Sequence, residues 1–204
     1  MRSKTLGMLA FFAIVLTAAN PVTSGYGIGD TVSDFKLKNF DGRMISLSDY
    51  KSSKGVILIF DCNTCPYSKA YNDRIIALHK KYGPQGYPVV TINSNDGKQS
   101  PGDSFEQMVA RAKQKNYDFP YLLDESQEVA RAFGATNTPH VFVLRNSGQG
   151  FVVSYIGAID NNSRNGDQAS KKYVEDAVNA LLEGKNVPTL QTKAVGCGIK
   201  WKDA

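Results

Sequence analysis

The sequence predicts an α/β fold, a central mixed β-sheet flanked by helices, and three features of the chain lead to it. An apolar stretch at residues 56–61 precedes a helical pattern running from Pro66 to Lys81, and a second apolar stretch follows at residues 87–93. Strand, helix and strand in so short a span make a right-handed parallel crossover. Residues 141–144 and 151–156 are apolar runs separated by the Gly-containing turn 146–150. Such a pair folds as an antiparallel hairpin. A final segment, residues 170–183, places Tyr173, Ala177, Val178 and Leu181 on one helical face. A sheet covered by helices is the natural way to bury all of these faces.

The first 24 residues have a different composition. Arg2 and Lys4 precede an apolar run, residues 6–19, and small residues follow with cleavage points after Ala19 or Ser24. The run is shorter than the roughly 20 residues a membrane span needs. This is the pattern of a secretory signal peptide, the alternative being an uncleaved N-terminal anchor. It implies export to a periplasmic or extracellular space where disulfides persist, with no stable membrane insertion once it is removed. Loss of Arg2 and Lys4 lowers the formal charge from +5 to +3. So mild a charge, without a basic run interleaved with aromatics, argues against a nucleic-acid partner. The remainder divides into one domain, residues 25–184, and a C-terminal tail, residues 185–204, that packs back on it.

Along the chain, residues 25–33 are an irregular lead-in. Residues 34–38 alternate polar and apolar, Asn39 to Gly42 supply a turn, and residues 44–47 return as a second strand, giving an N-terminal β-hairpin. Residues 48–51 make one helical turn before the core strand at 56–61. Gly83-Pro84 ends the first helix. A polar loop at 94–102 leads to a helix opened by Asp103 or Ser104, each with Glu or Gln three residues on, and faced by Phe105, Met108, Val109 and Ala112. Residues 119–123 are extended. Asp124 caps a short helix carrying Val129, Ala130 and Phe133, which Gly134 stops. Residues 160–168 are a solvated loop, and 185–204 show no period.

The chemistry lies at Cys62-Asn63-Thr64-Cys65, on the hinge between the core strand and the helix opened by Pro66. Two intervening residues let the two sulfurs meet as a reducible disulfide. A helix start carries partial positive charge and free N–H groups, both of which stabilise a thiolate. Cys62 is expected to be the exposed nucleophile and Cys65 the buried resolving thiol. A zinc half-site needs a second Cys/His pair, and only His79, His140 and Cys197 remain, far apart. Three cysteines are too few for a disulfide scaffold, and one redox pair with a third thiol fits them.

Residues 62–75, Cys-Asn-Thr-Cys-Pro-Tyr-Ser-Lys-Ala-Tyr-Asn-Asp-Arg-Ile, resemble an active-site segment of thioredoxin-fold proteins. The branch it resembles is the bacterial peroxiredoxin-like one, related to alkyl hydroperoxide reductase and thiol-specific antioxidant proteins. The likeness continues through residues 92–96, 124–130, 135–139 and 196–201. It implies a thioredoxin fold with an N-terminal hairpin extension. It also implies a cis peptide before Pro139, with Thr138 and Pro139 contacting Cys62 and docking a substrate strand.

Three departures temper that likeness. Relatives often carry histidine where Thr64 stands, and Asp61 directly precedes Cys62, so a strongly depressed Cys62 pKa is not expected. The peroxiredoxin Pro and Thr positions are Gly55 and Ile59 relative to Cys62, and Leu58 and Cys62 relative to Cys65; neither set fits. The position of the buried thioredoxin aspartate is Val56.

The resulting expectation is an exported oxidoreductase exchanging disulfides of a protein substrate, needing no cofactor or metal and fed by an electron donor. One rival is a peroxidase that uses Cys197 as resolving thiol for Cys62, and Cys197 is equally readable as a spectator packed by Ile199 and Trp201. A second rival is a copper-binding assembly factor using Cys62, Cys65 and His140. Lys69, Arg74 and His79 read as surface or core-edge residues.

Overall fold

The computed structural model describes residues 25–203; the signal-peptide reading of residues 1–24 lies outside them. The hairpin forms from β1 (Lys36–Asn39) and β2 (Met44–Ser46), turned through Gly42 at φ +88°. The strand starts two residues later than its alternation suggests. Asp34 lies in irregular chain instead, its carboxylate accepting from the backbone N–H groups of Phe35 and Ser48. Then come β3 (Gly55–Phe60), α1 (Pro66–Tyr82) and β4 (Val89–Asn93), the expected crossover, with β3 and β4 parallel. The helix α2 (Phe105–Gln114) is capped by Ser104, whose hydroxyl accepts from the Gln107 N–H. It leads to β5 (Tyr121–Leu123), parallel to β4. The helix α3 (Glu128–Phe133) stops at Gly134, and the Asp124 carboxylate accepts from the Val129 and Ala130 N–H groups at its start. A two-residue strand, β6 (Asn137–Thr138), precedes the hairpin of β7 (His140–Asn146) and β8 (Phe151–Gly157). The chain closes with α4 (Tyr173–Leu182) and β9 (Cys197–Gly198).

Seven strands form one mixed sheet in the order β2-β1-β5-β4-β3-β7-β8. The N-terminal hairpin joins it through antiparallel pairing of β1 with β5. Every residue of β3 is buried, and its period-two alternation divides the core. Val56, Leu58 and Phe60 pack with Val90, Ile92, Phe133 and Phe142 on one face. Ile57 and Ile59 pack on the other with Tyr71 and Ile75 of α1 and Val174 and Val178 of α4. Full burial of one such aliphatic side chain is worth about 1.5–3 kcal/mol, so this strand fixes the height at which the following hinge sits.

Two segments differ from expectation. The 160–168 loop is not wholly solvated: Asp160 is buried, accepting from Arg74 at 2.6 Å and from the Tyr71 hydroxyl at 3.0 Å, which ties the loop to α1. Arg74 is therefore a structural tie and not a free surface residue. The tail is well placed despite lacking a period, because backbone pairing and the isolated apolar anchor Ile199 order it without a continuous apolar face. It follows the outer edge of β8, where Ile156 N–H donates to the Leu190 carbonyl and Thr192 N–H to that of Ile156. It then crosses to β6, pairing β9 with it antiparallel. Beyond, the Lys200 carbonyl accepts from Asp96 N–H and from the Gln127 side chain.

Candidate active site

The hinge after β3 carries Cys62 and Cys65, with Cys65 as the residue that precedes the first turn of α1 and Pro66 opening that turn. Facing them is the loop from β6 to β7, in which the Thr138–Pro139 peptide is cis, as the resemblance implied. The Thr138 hydroxyl lies 3.1 Å from Cys62 Sγ. From the other side comes β9, with Cys197 opposite Thr138 and Gly198 opposite Asn137. Cys62, Cys65, Thr138, Pro139 and Cys197, all predicted as site residues, thus converge at one place.

The sulfur pairing differs from both expected arrangements. Cys65 is bonded to Cys197, and Cys62 is the free thiol. The cause is register. Cys197 is paired opposite Thr138, whose carbonyl oxygen is 3.2 Å from Cys65 Sγ. A disulfide sulfur has no proton to donate, so this is a close contact in the bonded state. Cys62 is also not the exposed member of the pair: it is 1% exposed and Cys65 2%. Thr138 of the cis-proline loop lies against Cys62, and Cys197 of the tail strand against Cys65.

The electrostatics explain why the Cys62 thiol lies above its ordinary value. Burial is the first cause, and the negative charges of Asp61 and Asp103 push the same way, while the Thr138 hydroxyl opposes them. Of the two cap candidates in the sequence, Ser104 caps α2 and Asp103 faces the hinge. Its Oδ1 accepts from the backbone N–H groups of Asn63 at 2.6 Å and Thr64 at 3.2 Å. Its Oδ2 accepts from the Thr64 and Ser100 hydroxyls and from the Asn95 amide, at 2.7, 2.6 and 2.8 Å. Two N–H groups that a thiolate would use at this helix start are therefore already engaged by a carboxylate.

Arg111 of α2 supplies the balancing charge. It donates to the Cys62 carbonyl, to Asp61 Oδ2 and Asn72 Oδ1 at 3.2 Å each, and to the Tyr117 hydroxyl at 2.9 Å. Asp61 is 1% exposed, and its Oδ1 has no hydrogen-bond partner among the described residues. Burial pushes the Asp61 carboxyl up, and Arg111 pulls it back. Lys69 is exposed, in keeping with its reading as a surface residue. Tyr121 completes the frame by donating to the Asn63 side chain at 2.9 Å. A cleft of about 480 Å³ opens beside this frame, with Lys69, Gln107, Arg111 and Lys115 on its walls.

Sequence reasoning missed Asp103, Arg111 and Tyr121. Asp103 had a signal, since Asn95 and Ser100 stand in the polar loop that leads to it, but an alternative capping role absorbed it. Arg111 had none, because nothing local marks a helical arginine as buried. His140 is buried against Phe142, with ring centroids 4.8 Å apart, and burial pushes its pKa down to about 4. Among the described residues no three His, Cys, Asp or Glu side chains gather to hold a metal ion, so Cys62, Cys65 and His140 do not form such a set.

With this geometry in hand, comparison with known proteins adds the family. The model of the AhpC/TSA family matches residues 28–159, well over half the chain. The chain belongs to the AhpC/TSA family. Its sheet order and the cis-proline loop facing the helix-start cysteines are those of the thioredoxin fold. It is similar to the thiol-disulfide oxidoreductase ResA of Geobacillus thermodenitrificans (strain NG80-2), 27% identical over 125 residues. That match covers 60% of this chain and 66% of the relative, just under two thirds of its length. The structure of a hypothetical protein from Sinorhizobium meliloti 1021 superposes with a TM-score of 0.81 at 34% identity, covering 89% of this chain and 98% of that one. An uncharacterized conserved protein from Geobacillus kaustophilus gives 0.81 at 38% identity, covering 87% and 94%.

Proposed function

We propose that this family member is an exported thiol–disulfide oxidoreductase acting on disulfides of protein substrates. The observation that carries the reading is the free Cys62 thiol beside Thr138 on the cis-proline loop, next to Cys65 at the start of α1. In the fully reduced protein, Cys62 as thiolate attacks one sulfur of the substrate disulfide, and the other leaves as thiolate and takes up a proton. Cys65 then attacks Cys62 Sγ, forming a Cys62–Cys65 disulfide and releasing the second substrate thiol. Thr138 and Pro139 hold the substrate strand by backbone pairing. Two electrons pass to the substrate, and an external dithiol donor restores them. The raised Cys62 thiol favours the protonated, reducing form over a strongly oxidising one. Export rests on the signal-like residues 1–24.

The test is insulin-disulfide reduction by the purified protein beside its Cys62→Ser and Cys197→Ser variants. Activity lost with Cys62→Ser and kept with Cys197→Ser supports the reading. Peroxide turnover dependent on Cys197, without insulin reduction, overturns it, as does stoichiometric Cu(I) binding abolished by His140→Ala.

A further inference from the structure

The tail occupies the very edge that a substrate strand needs. The strand β9 pairs with Asn137 and Thr138, and the Ile199 N–H extends the ladder to the Thr136 carbonyl. Gly196 lies so flat against the loop that a Cβ there would stand 2.1 Å from the Thr138 carbonyl oxygen and 3.1 Å from Pro139 N. The far side is anchored as firmly. Lys200 N–H donates to Asn95 Oδ1 and Lys202 N–H to Gln127 Oε1, Ile199 is buried, and the Arg131 guanidinium lies 4.5 Å from the Trp201 ring centroid. An extended peptide and β9 cannot both pair with one backbone edge.

We propose that residues 196–201 are a built-in stand-in for the substrate strand, and that Cys197 draws the disulfide from Cys62–Cys65 to Cys65–Cys197 to close the site. This rests on the docking role assigned above to Thr138 and Pro139. In the exchange, the Cys197 thiolate attacks Cys65 Sγ. The Cys65–Cys197 bond forms, the Cys62–Cys65 bond breaks, and the electron pair leaves on the Cys62 sulfur, which takes up a proton. No net oxidation or reduction occurs. As the sulfur bond forms, β9 takes the Thr138 edge and excludes a further substrate strand. The oxidised protein is thereby closed, with Cys62 free but shielded, until the external dithiol donor reduces Cys65–Cys197 and lets the tail lift.

Two measurements on the full chain test this. The protein is oxidised with diamide, acid-quenched, alkylated with N-ethylmaleimide in denaturant and mapped by peptide mass spectrometry. A Cys65–Cys197 linkage with alkylated Cys62 is expected; a Cys62–Cys65 linkage with alkylated Cys197 overturns the proposal. In the second measurement, native alkylation of Cys62 is timed in oxidised wild type and in the Cys65→Ser/Cys197→Ser double variant, where Cys62 is equally a free thiol but the tail is untethered. At least tenfold faster labelling of the double variant is expected, and equal rates overturn the proposal. Gly196→Ala is a second variant that keeps all three sulfurs while its side chain meets the Thr138 carbonyl. It should shift the mapped linkage toward Cys62–Cys65, and an unchanged map counts against the docked tail. Neither measurement uses a disulfide substrate, so their failure is distinct from an absence of insulin reduction.

Discussion

Replacing Arg111 with methionine removes the only cation that the structure brings within ion-pair distance of Asp61, among the described residues. The change keeps most of the side-chain volume but deletes the donors to the Cys62 carbonyl, Asp61, Asn72 and Tyr117. Asp61, 1% exposed, is left as a buried charge without a partner. Breaking a buried pair from one side costs about 3–5 kcal/mol. With an ordinary urea dependence of about 1–3 kcal/mol per molar, that lowers the unfolding midpoint by roughly 2 M. The loss depends on pH in a defined direction. Burial already raises the Asp61 carboxyl, and without Arg111 it rises further. The folded variant then holds a proton that the unfolded chain releases, so its stability falls as pH rises through the raised value. Urea unfolding followed by tryptophan fluorescence at pH 5.5 and pH 8 should show the larger deficit at pH 8. Asp61→Asn in the Arg111→Met background should recover much of it. A single variant losing less than about 1 kcal/mol at both pH values would refute the reasoning, given the size expected for such a pair. A double variant no more stable than the single one would refute it too.

Three further outcomes follow from the same frame. Asp103→Asn keeps an acceptor for the Asn63 and Thr64 amides but sets an NH2 group against that of Asn95, costing about 1–3 kcal/mol. It also removes a negative charge that holds the Cys62 thiol up, so iodoacetamide labelling of Cys62 at pH 7 should accelerate; slower labelling would contradict the assigned role. In the oxidised wild type, the rate of Cys62 alkylation should keep climbing through pH 9, the ordinary thiol value, and a plateau at or below pH 7 is the opposite result. His140 is depressed from 6.5 to about 4 by burial, so the unfolded chain takes up its proton first as pH falls. That contribution is present above pH 6.5 and is lost on acidification toward pH 4, amounting to about 3 kcal/mol. The stability difference between wild type and His140→Phe should therefore change across this interval, and a constant difference would exclude the linkage.

Local patterns reach the scaffold well and the interactions across it poorly. The crossover through β3, α1 and β4 was legible because apolar runs and a helical repeat are written in consecutive residues, as was the β7–β8 hairpin. The cis peptide before Pro139 was accessible only through resemblance, since sequence alone favours trans. The Cys65–Cys197 bond joins residues 132 apart, and the tail that brings them together is ordered by backbone ladders that leave no apolar period to read. Asp103 and Arg111 were opaque for a related reason. Each looks like an ordinary polar residue near a helix, and only the packing of α2 against the hinge makes Asp103 the acceptor for the Asn63 and Thr64 amides and Arg111 the counter-ion of Asp61. Asp160 shows the same limit, its loop polar in sequence yet tied inward by Arg74.

The path of the tail along β8 has a consequence for self-association. A sheet ends in two rows of unsatisfied backbone groups, and exposed rows invite pairing between molecules. Here one end, β2, is three residues long; the other, β8, is covered at residues 151–153 by residues 29–32 and at Ile156 by residues 190–192. That second cover belongs to the segment whose far end is fastened through Cys197. Colloidal behaviour is thereby coupled to thiol status: reduction unfastens the strip shielding the second half of β8, and light scattering of reduced against oxidised protein should register the difference. A Cys197→Ser chain that scatters no more than the oxidised wild type would show that the ladder alone holds the strip.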